Sequence, residues 1–323
     1  MFDFLALFPG VPLFFMVSGF LITDSFLNSG GLKEYFVKRG LRIYPALALN
    51  ILILELAMYI GGNIMGSNIS IIQYIIFFFT YVATAASGIG TTVVGIDGAT
   101  LYNFDGFFQY YPSGVLWTLT VELSFYLVLP LILLFKNAKV RNSILVILFV
   151  LAIGISMQAS KEFYSSTKFH MLLHISVFPY MWIFIIGMVM RLYWDSIKKY
   201  FVNYGLYYLG FYLVYSFVVI VFFDGFNGYK IELDIVTVIQ TILMACAMFS
   251  MAFSYTHIKF NRKLDLSYST YLYHMLIVQI LIGFGITGSG YLYFVVIGVT
   301  FAIAYLSWTY VEKPMLKLKR VNK

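Results

Sequence analysis

Charge is what this sequence has least of. Only 11% of its 323 residues are charged, against 61% hydrophobic and 20% aromatic, with a mean hydropathy of +0.88. A soluble domain of this length has no core large enough to hide so much apolar surface, so a freestanding soluble protein is excluded. Long hydrophilic stretches are missing too. The longest, "SGIGTTVVGIDGATLYNFDGFFQYYPSG", is rich in glycine and aromatics and reads as a structured loop rather than a separate module. No Walker lysine follows its glycines, which sets aside a nucleotide loop. A single cysteine, Cys246, excludes an internal disulfide, and its apolar surroundings suit packing. Histidine is scarce as well: His170, His174 and His257 fall into no HExxH or other metal-ligand pattern, so no metal is expected. The opening "MFDFLALFPG" lacks the basic segment and small-residue cleavage site of a removed signal peptide. No repeat of the solenoid or propeller kind is present.

Apolar runs of roughly 20 residues recur along the chain, each enough to cross a hydrocarbon layer of roughly 30 Å as a helix. The expectation is an all-α polytopic transmembrane helix bundle, one domain over 1–323, surrounded by membrane lipid. The net charge of +7 then reports topology rather than nucleic-acid binding. The basic residues cluster as Lys33, Lys38, Arg39 and Arg42; Lys136, Lys139 and Arg141; Arg191, Lys198 and Lys199; Lys259, Arg262 and Lys263; and a carboxyl-terminal group from Lys313 to Lys323. If all lie on the cytoplasmic side, an even number of spans separates neighbouring clusters. Spans near 4–23, 45–65, 113–135, 143–159, 174–192, 204–223, 233–256, 267–287 and 291–311 satisfy that parity, about nine in all. The short stretch 71–86, led in by Asn68, Ser70 and Gln73, is then re-entrant or interfacial. An odd count places the amino terminus outside and the carboxyl terminus in the cytoplasm.

A charged side chain in a bilayer costs at least about 2.5 kcal/mol, so polar residues within spans are candidates for function. In "KRGLRIYP", Arg39 and Arg42 share a helix face beside Lys38. Such a pair suits bidentate clamping of a phosphate-bearing ligand, or serves as a snorkelling topology anchor. Pro45 reads as the opening of the next helix. In "LWTLTVELSFYLVLP", Glu122 and Tyr126 are four apart on one face. The carboxylate is placed either to orient or deprotonate an incoming hydroxyl, or to bond a neighbouring helix. In "LSYSTYLYH", Ser267, Tyr271 and His274 line one face, as a proton carrier or as a packing network. Glu312 in "VEKP" reads as a membrane-edge ion pair with Lys313 and a helix stop. Glu55, in "ILILELAMYI", is a further buried acid without a motif.

Taken in series, "GVPLFFMVSGFLIT", "KRGLRIYP", "LWTLTVELSFYLVLP", "SYSTYLYH" and "YVEKP" resemble, over nearly the whole chain, the membrane-bound acyltransferase-3 family. Its members O-acylate bacterial surface and secreted carbohydrates. The resemblance implies ten transmembrane helices in the bacterial inner (cytoplasmic) membrane. It also implies acetyl-CoA or another acyl-CoA used from the cytoplasm, and an acceptor presented outside. Residue by residue, it implies donor binding for Arg39 and Arg42, and makes Glu122 the acid of a Trp-x-Leu-x-x-Glu signature. Ser18, Gly19 and Phe20 match a Ser-Gly-Phe where close backbone packing favours small residues. The family's first helix, carrying an Arg and a catalytic His, has no counterpart here. The expectation is therefore a chain truncated at its start, with His274 as the candidate base within it.

The resulting expectation is an O-acyltransferase moving an acyl group, most simply acetyl, from acyl-CoA to a hydroxyl of a polysaccharide or lipid-linked saccharide. Glu122, Tyr126 and His274 would be catalytic; Arg39, Arg42 and Lys38 would bind the donor. The alternatives are a proton-coupled solute or saccharide transporter using Glu122, Glu55 and His274 as a relay, or an inactive member of the same family.

Overall fold

Segments that are apolar on every side fold as helices in hydrocarbon, because only an internally hydrogen-bonded backbone leaves no polar group unpaired there. The computed structural model of this protein describes residues 7–65, 70–83, 114–161, 173, 176–222, 233–255, 264–288 and 290–318. Its helices are α1 (Gly10–Leu27), α2 (Leu32–Met65), α3 (Ile71–Ala83), α4 (Trp117–Leu133), α5 (Ala138–Lys161) and α6 (Met181–Leu192). They continue as α7 (Trp194–Phe201), α8 (Gly205–Phe222), α9 (Ile235–Ser254), α10 (Ser267–Gly283), α11 (Leu292–Ser307) and α12 (Lys313–Lys317). Short 3-10 turns, Gly114–Leu116 and Phe178–Tyr180, lead into α4 and α6, and a π-helical turn, Trp308–Glu312, joins α11 to α12. Among the described residues there is no strand. The fold is a polytopic helical membrane bundle.

Seven helical stretches among the described residues are long and apolar enough to cross a membrane: 10–27, 32–61, 114–133, 138–160, 205–222, 235–254 and 292–317. With the shorter Phe178–Leu192 and Ser267–Gly283, they fall on the nine stretches the sequence marks as spans. The tenth stretch forms α3, 13 residues long. At 1.5 Å per residue it reaches about 20 Å, short of a ~30 Å core. The Gly-rich loop 87–113, His170, His174 and His257 lie outside the described residues.

One boundary differs from the sequence reading. Pro45 does not open a helix; it sits inside α2, which runs unbroken for 34 residues. A proline removes one backbone donor and crowds the preceding turn, but membrane helices absorb this through neighbouring groups. "KRGLRIYP" is consequently part of the helix, not a loop before it. Local signals set other ends. Asp234 caps α9, its Oδ1 accepting from the Thr237 N–H and hydroxyl, both at 2.8 Å. Asn203 turns α7 into α8 at φ 74, a left-handed conformation asparagine tolerates, with its N–H donating to Ser254 Oγ at 2.8 Å.

The chain divides into two compact units, 1–32 with 121–260 and 33–120 with 261–323. In the first, α1 and α6 cross with their backbones nearly touching. A Cβ on Gly19 would lie 2.3 Å from the Phe184 carbonyl oxygen, and one on Gly187 would lie 2.0 Å from that of Met16. Only glycine permits this approach, the small-residue packing expected between membrane helices. Phe125 of α4 stacks on Phe184 at 3.9 Å between centroids and meets Phe15 edge-on at 5.5 Å. Those three rings fix α4 against α1 and α6. In the second unit polar ties do the corresponding work. Tyr268 and Tyr273 hydroxyls donate to the Ile43 and Ala46 carbonyls at 3.1 and 3.3 Å, and Asn50 Nδ2 donates to the Leu272 carbonyl at 3.0 Å, joining α10 to α2.

Candidate functional site

Glu122 lies one turn before Phe125's level on α4 and is only 7% exposed. Its Oε1 accepts from Tyr126 OH at 2.8 Å, the helical neighbour four residues on, and from Ser18 Oγ at 3.4 Å. Ser18 is the residue before Gly19, so the close α1–α6 crossing and the serine hydroxyl belong to one short segment. Ser18 and Tyr126 are themselves buried. Two neutral hydroxyls thus converge on one carboxylate oxygen within a membrane span. The arrangement can hold a carboxylate in one rotamer and aim it at a third hydroxyl.

The basic motif occupies the first third of α2, in the other unit. Lys38 and Arg42, one turn apart, are held by different acids. Lys38 Nζ pairs with Glu34 at 2.5 Å along the helix, and Arg42 Nη2 with Asp265 Oδ2 at 2.7 Å. Asp265, just ahead of α10, is in turn fixed through Oδ1 by the Ser267 hydroxyl at 2.7 Å and N–H at 3.3 Å. Burial works against its charge, yet the Arg42 guanidinium and the Ser267 donors together hold its carboxyl below the usual aspartate range. The Tyr268 ring lies 5.9 Å from the Arg42 guanidinium carbon. Arg39 shares α2 with these groups and is half-buried.

His274 lies about two turns into α10 and is part-buried. Its Nδ1 lies 2.7 Å from the Tyr271 carbonyl oxygen. A carbonyl only accepts, so Nδ1 is the donor in this bond, and Nε2 is the ring nitrogen it leaves unengaged. The Tyr271 hydroxyl is tied to Thr118 Oγ1 and donates to the Val115 carbonyl at 3.0 Å, which fixes this turn of α10. Glu122 and Tyr126 belong to the first unit, and His274, Lys38, Arg39 and Arg42 to the second.

Glu312 departs from its sequence reading. It is 1% exposed, ends the π-helical turn, and accepts on Oε1 from Ser269 Oγ and, at 3.2 Å, from Ser307 Oγ. Lys313 is exposed and forms no ion pair with it among the described residues. The helix does not stop there but continues through α12. Ser307 also accepts from Tyr273 OH at 3.1 Å, so the carboxylate closes a hydroxyl network between α10 and α11. Glu55 is 8% exposed, and its Oε1 has no hydrogen-bond partner among the described residues. Ser18 as a partner of Glu122, and Asp265 as the partner of Arg42, were not anticipated. In "SYSTY" Ser267 donates to Asp265 and Ser269 to Glu312, so that run of hydroxyls was the available signal for nearby acids.

The family described as an acyltransferase domain matches residues 2–309. Nodulation protein 10 of Rhizobium leguminosarum bv. viciae is 38% identical over 322 residues, covering 98% of this chain and 84% of that protein. A Staphylococcus aureus (strain COL) protein, provisionally named an O-acetyltransferase, is 25% identical over 346 residues, covering 98% of this chain but 54% of the relative. This chain therefore spans about half the length of that second relative. No solved structure matches it. A match across nearly the whole chain favours group transfer over the transporter reading: the chain belongs to the acyltransferase family and is a membrane acyltransferase.

Proposed function

We propose that the protein moves an acyl group, most simply acetyl, from acyl-CoA to a hydroxyl of a cell-envelope carbohydrate, either a polysaccharide or a lipid-linked saccharide. It would do so in the bacterial cytoplasmic membrane, with its carboxyl terminus in the cytoplasm. The observation that carries the reading is the buried Glu122 cluster, a carboxylate held inside a span by the hydroxyls of Tyr126 and Ser18. The name of the Staphylococcus aureus relative supports acetyl as the group and oxygen as its destination.

In this reaction the acceptor oxygen attacks the thioester carbonyl carbon. The acceptor's proton passes to a base, and the carbon–sulfur bond breaks with its electron pair going to sulfur, which leaves as the CoA thiol after taking a proton. Arg39 and Arg42, with Lys38, offset the negative charge of the donor's phosphates; the planar guanidinium fork matches a phosphate in a way a lysine cannot. His274 takes the acceptor's proton on Nε2, the ring nitrogen that the Tyr271 carbonyl does not engage. Glu122, braced by Tyr126 and Ser18, fixes the orientation of the hydroxyl groups that react, and exclusion of water protects the thioester from hydrolysis.

The test uses the purified protein in liposomes, radiolabelled acetyl-CoA and extracted envelope glycan. The expected result is alkali-labile label in the glycan that depends on the protein. Folded protein that releases the label only to water, or only to lipid, would overturn the acceptor assignment.

A further inference from the structure

The ion pair at the start of α10 is more constrained than a surface contact. Arg42 has five N–H donors, and Asp265 engages it through one nitrogen, Nη2; among the described residues Nε and Nη1 have no protein partner. Asp265 cannot swing away freely, because its other oxygen is taken by the hydroxyl and N–H of Ser267. The next residue of α10 closes the grip, since the Tyr268 ring lies by the guanidinium and its hydroxyl bonds the carbonyl of Ile43, Arg42's neighbour in the chain. Exposed pairs of this type usually contribute little because two long side chains must be ordered to form them. Here the carboxylate is already ordered by a backbone donor and a hydroxyl, so the arginine alone is being oriented. Glu312, from a third element, lies within electrostatic reach of the same guanidinium.

We propose that Asp265 is a positioning residue for the acyl donor. It pins Nη2 of Arg42 so that the rest of the fork, Nε and Nη1, is presented in a fixed orientation to a phosphate of the donor. The inference rests on the reading of Arg42 as a donor-binding residue. Asp265 touches no substrate; it sets how well the arginine does. A carboxylate in this position also neutralises part of the charge that would otherwise hold any anion, so selectivity for a phosphate of the right geometry comes from orientation rather than from net charge.

The test compares two donors, acetyl-CoA and S-acetylpantetheine, which carries the same thioester without the nucleotide phosphates. For Asp265→Asn, the ratio of KM for acetyl-CoA to KM for S-acetylpantetheine should rise by roughly three- to tenfold, with kcat for acetyl-CoA changing less than KM. Asp265→Glu, which restores the charge on a longer arm, should recover part of the ratio and serves if the asparagine variant is poorly folded. An unchanged ratio in protein with a normal thermal midpoint would overturn the proposal. So would a falling ratio, which would make Asp265 a competitor of the phosphate. Arg42→Ala separates the two levels. If it leaves the ratio unchanged, the donor reading fails; if it raises the ratio while Asp265→Asn does not, only the positioning role fails.

Discussion

Two buried carboxylates, Glu122 in one unit and Glu312 in the other, are held by hydroxyls in nearly the same way, yet their neighbourhoods differ. Glu122 has Ser18 and Tyr126 on Oε1 and sits beside the stack of Phe15, Phe125 and Phe184. Glu312 has Ser269 and Ser307 on Oε1, a π-helical turn in its own backbone, and the charges of Arg42 and Asp265 in reach. The same hydroxyl ligation can therefore sit in an aromatic setting, as at Glu122, or among charges, as at Glu312. At Glu312 the network joins two helices through Oε1, while Oε2 is buried with no hydrogen-bond partner among the described residues. At Glu122 the donors on Oε1 come from its own helix and from a tightly crossed neighbour, and together they hold the carboxylate in position.

The comparison breaks most visibly with Glu122→Gln. The amide keeps the size and the hydroxyl contacts but not the charge, so transfer should drop by about a hundredfold or more while the thermal midpoint in detergent stays near that of the parent. Glu312→Ala should do the reverse. It strands the Ser269 and Ser307 hydroxyls and should lower stability by about 1–3 kcal/mol, read as a fall in the thermal midpoint with residual transfer by the folded fraction. Arg42→Ala comes next, with an expected rise of about tenfold in the KM for acetyl-CoA, the loss of a charged hydrogen bond. Tyr126→Phe is the mildest. It removes one neutral hydrogen bond from Glu122, about 1 kcal/mol, and should slow transfer roughly fivefold with little change in donor KM.

Much of this was legible in the sequence, for definable reasons. The helical spans follow from apolar runs of membrane-crossing length, and the Glu122–Tyr126 contact follows from a spacing of four on a helix. Gly19 was readable as a close-packing position, and its approach to the Phe184 carbonyl is the form that packing takes. The continuity of α2 through Pro45 was not readable, since proline marks a boundary in water but is tolerated where neighbouring helices supply its lost contacts. Nor was Asp265 as the partner of Arg42. The two are 223 residues apart, and nothing in the short stretch around Asp265 points to a particular distant arginine. Glu312 misled because its sequence neighbour is a lysine, while its actual partners are serines on other turns and another helix.

The central proposal is that Glu122 serves the transfer step and Arg42 serves the donor. Transfer velocity measured against acetyl-CoA concentration, for Glu122→Gln and Arg42→Ala side by side with the parent, tests it most directly. The account predicts a loss confined mainly to kcat for Glu122→Gln and mainly to KM for Arg42→Ala. Parent-like curves for either folded variant, or the two effects exchanged, would contradict it.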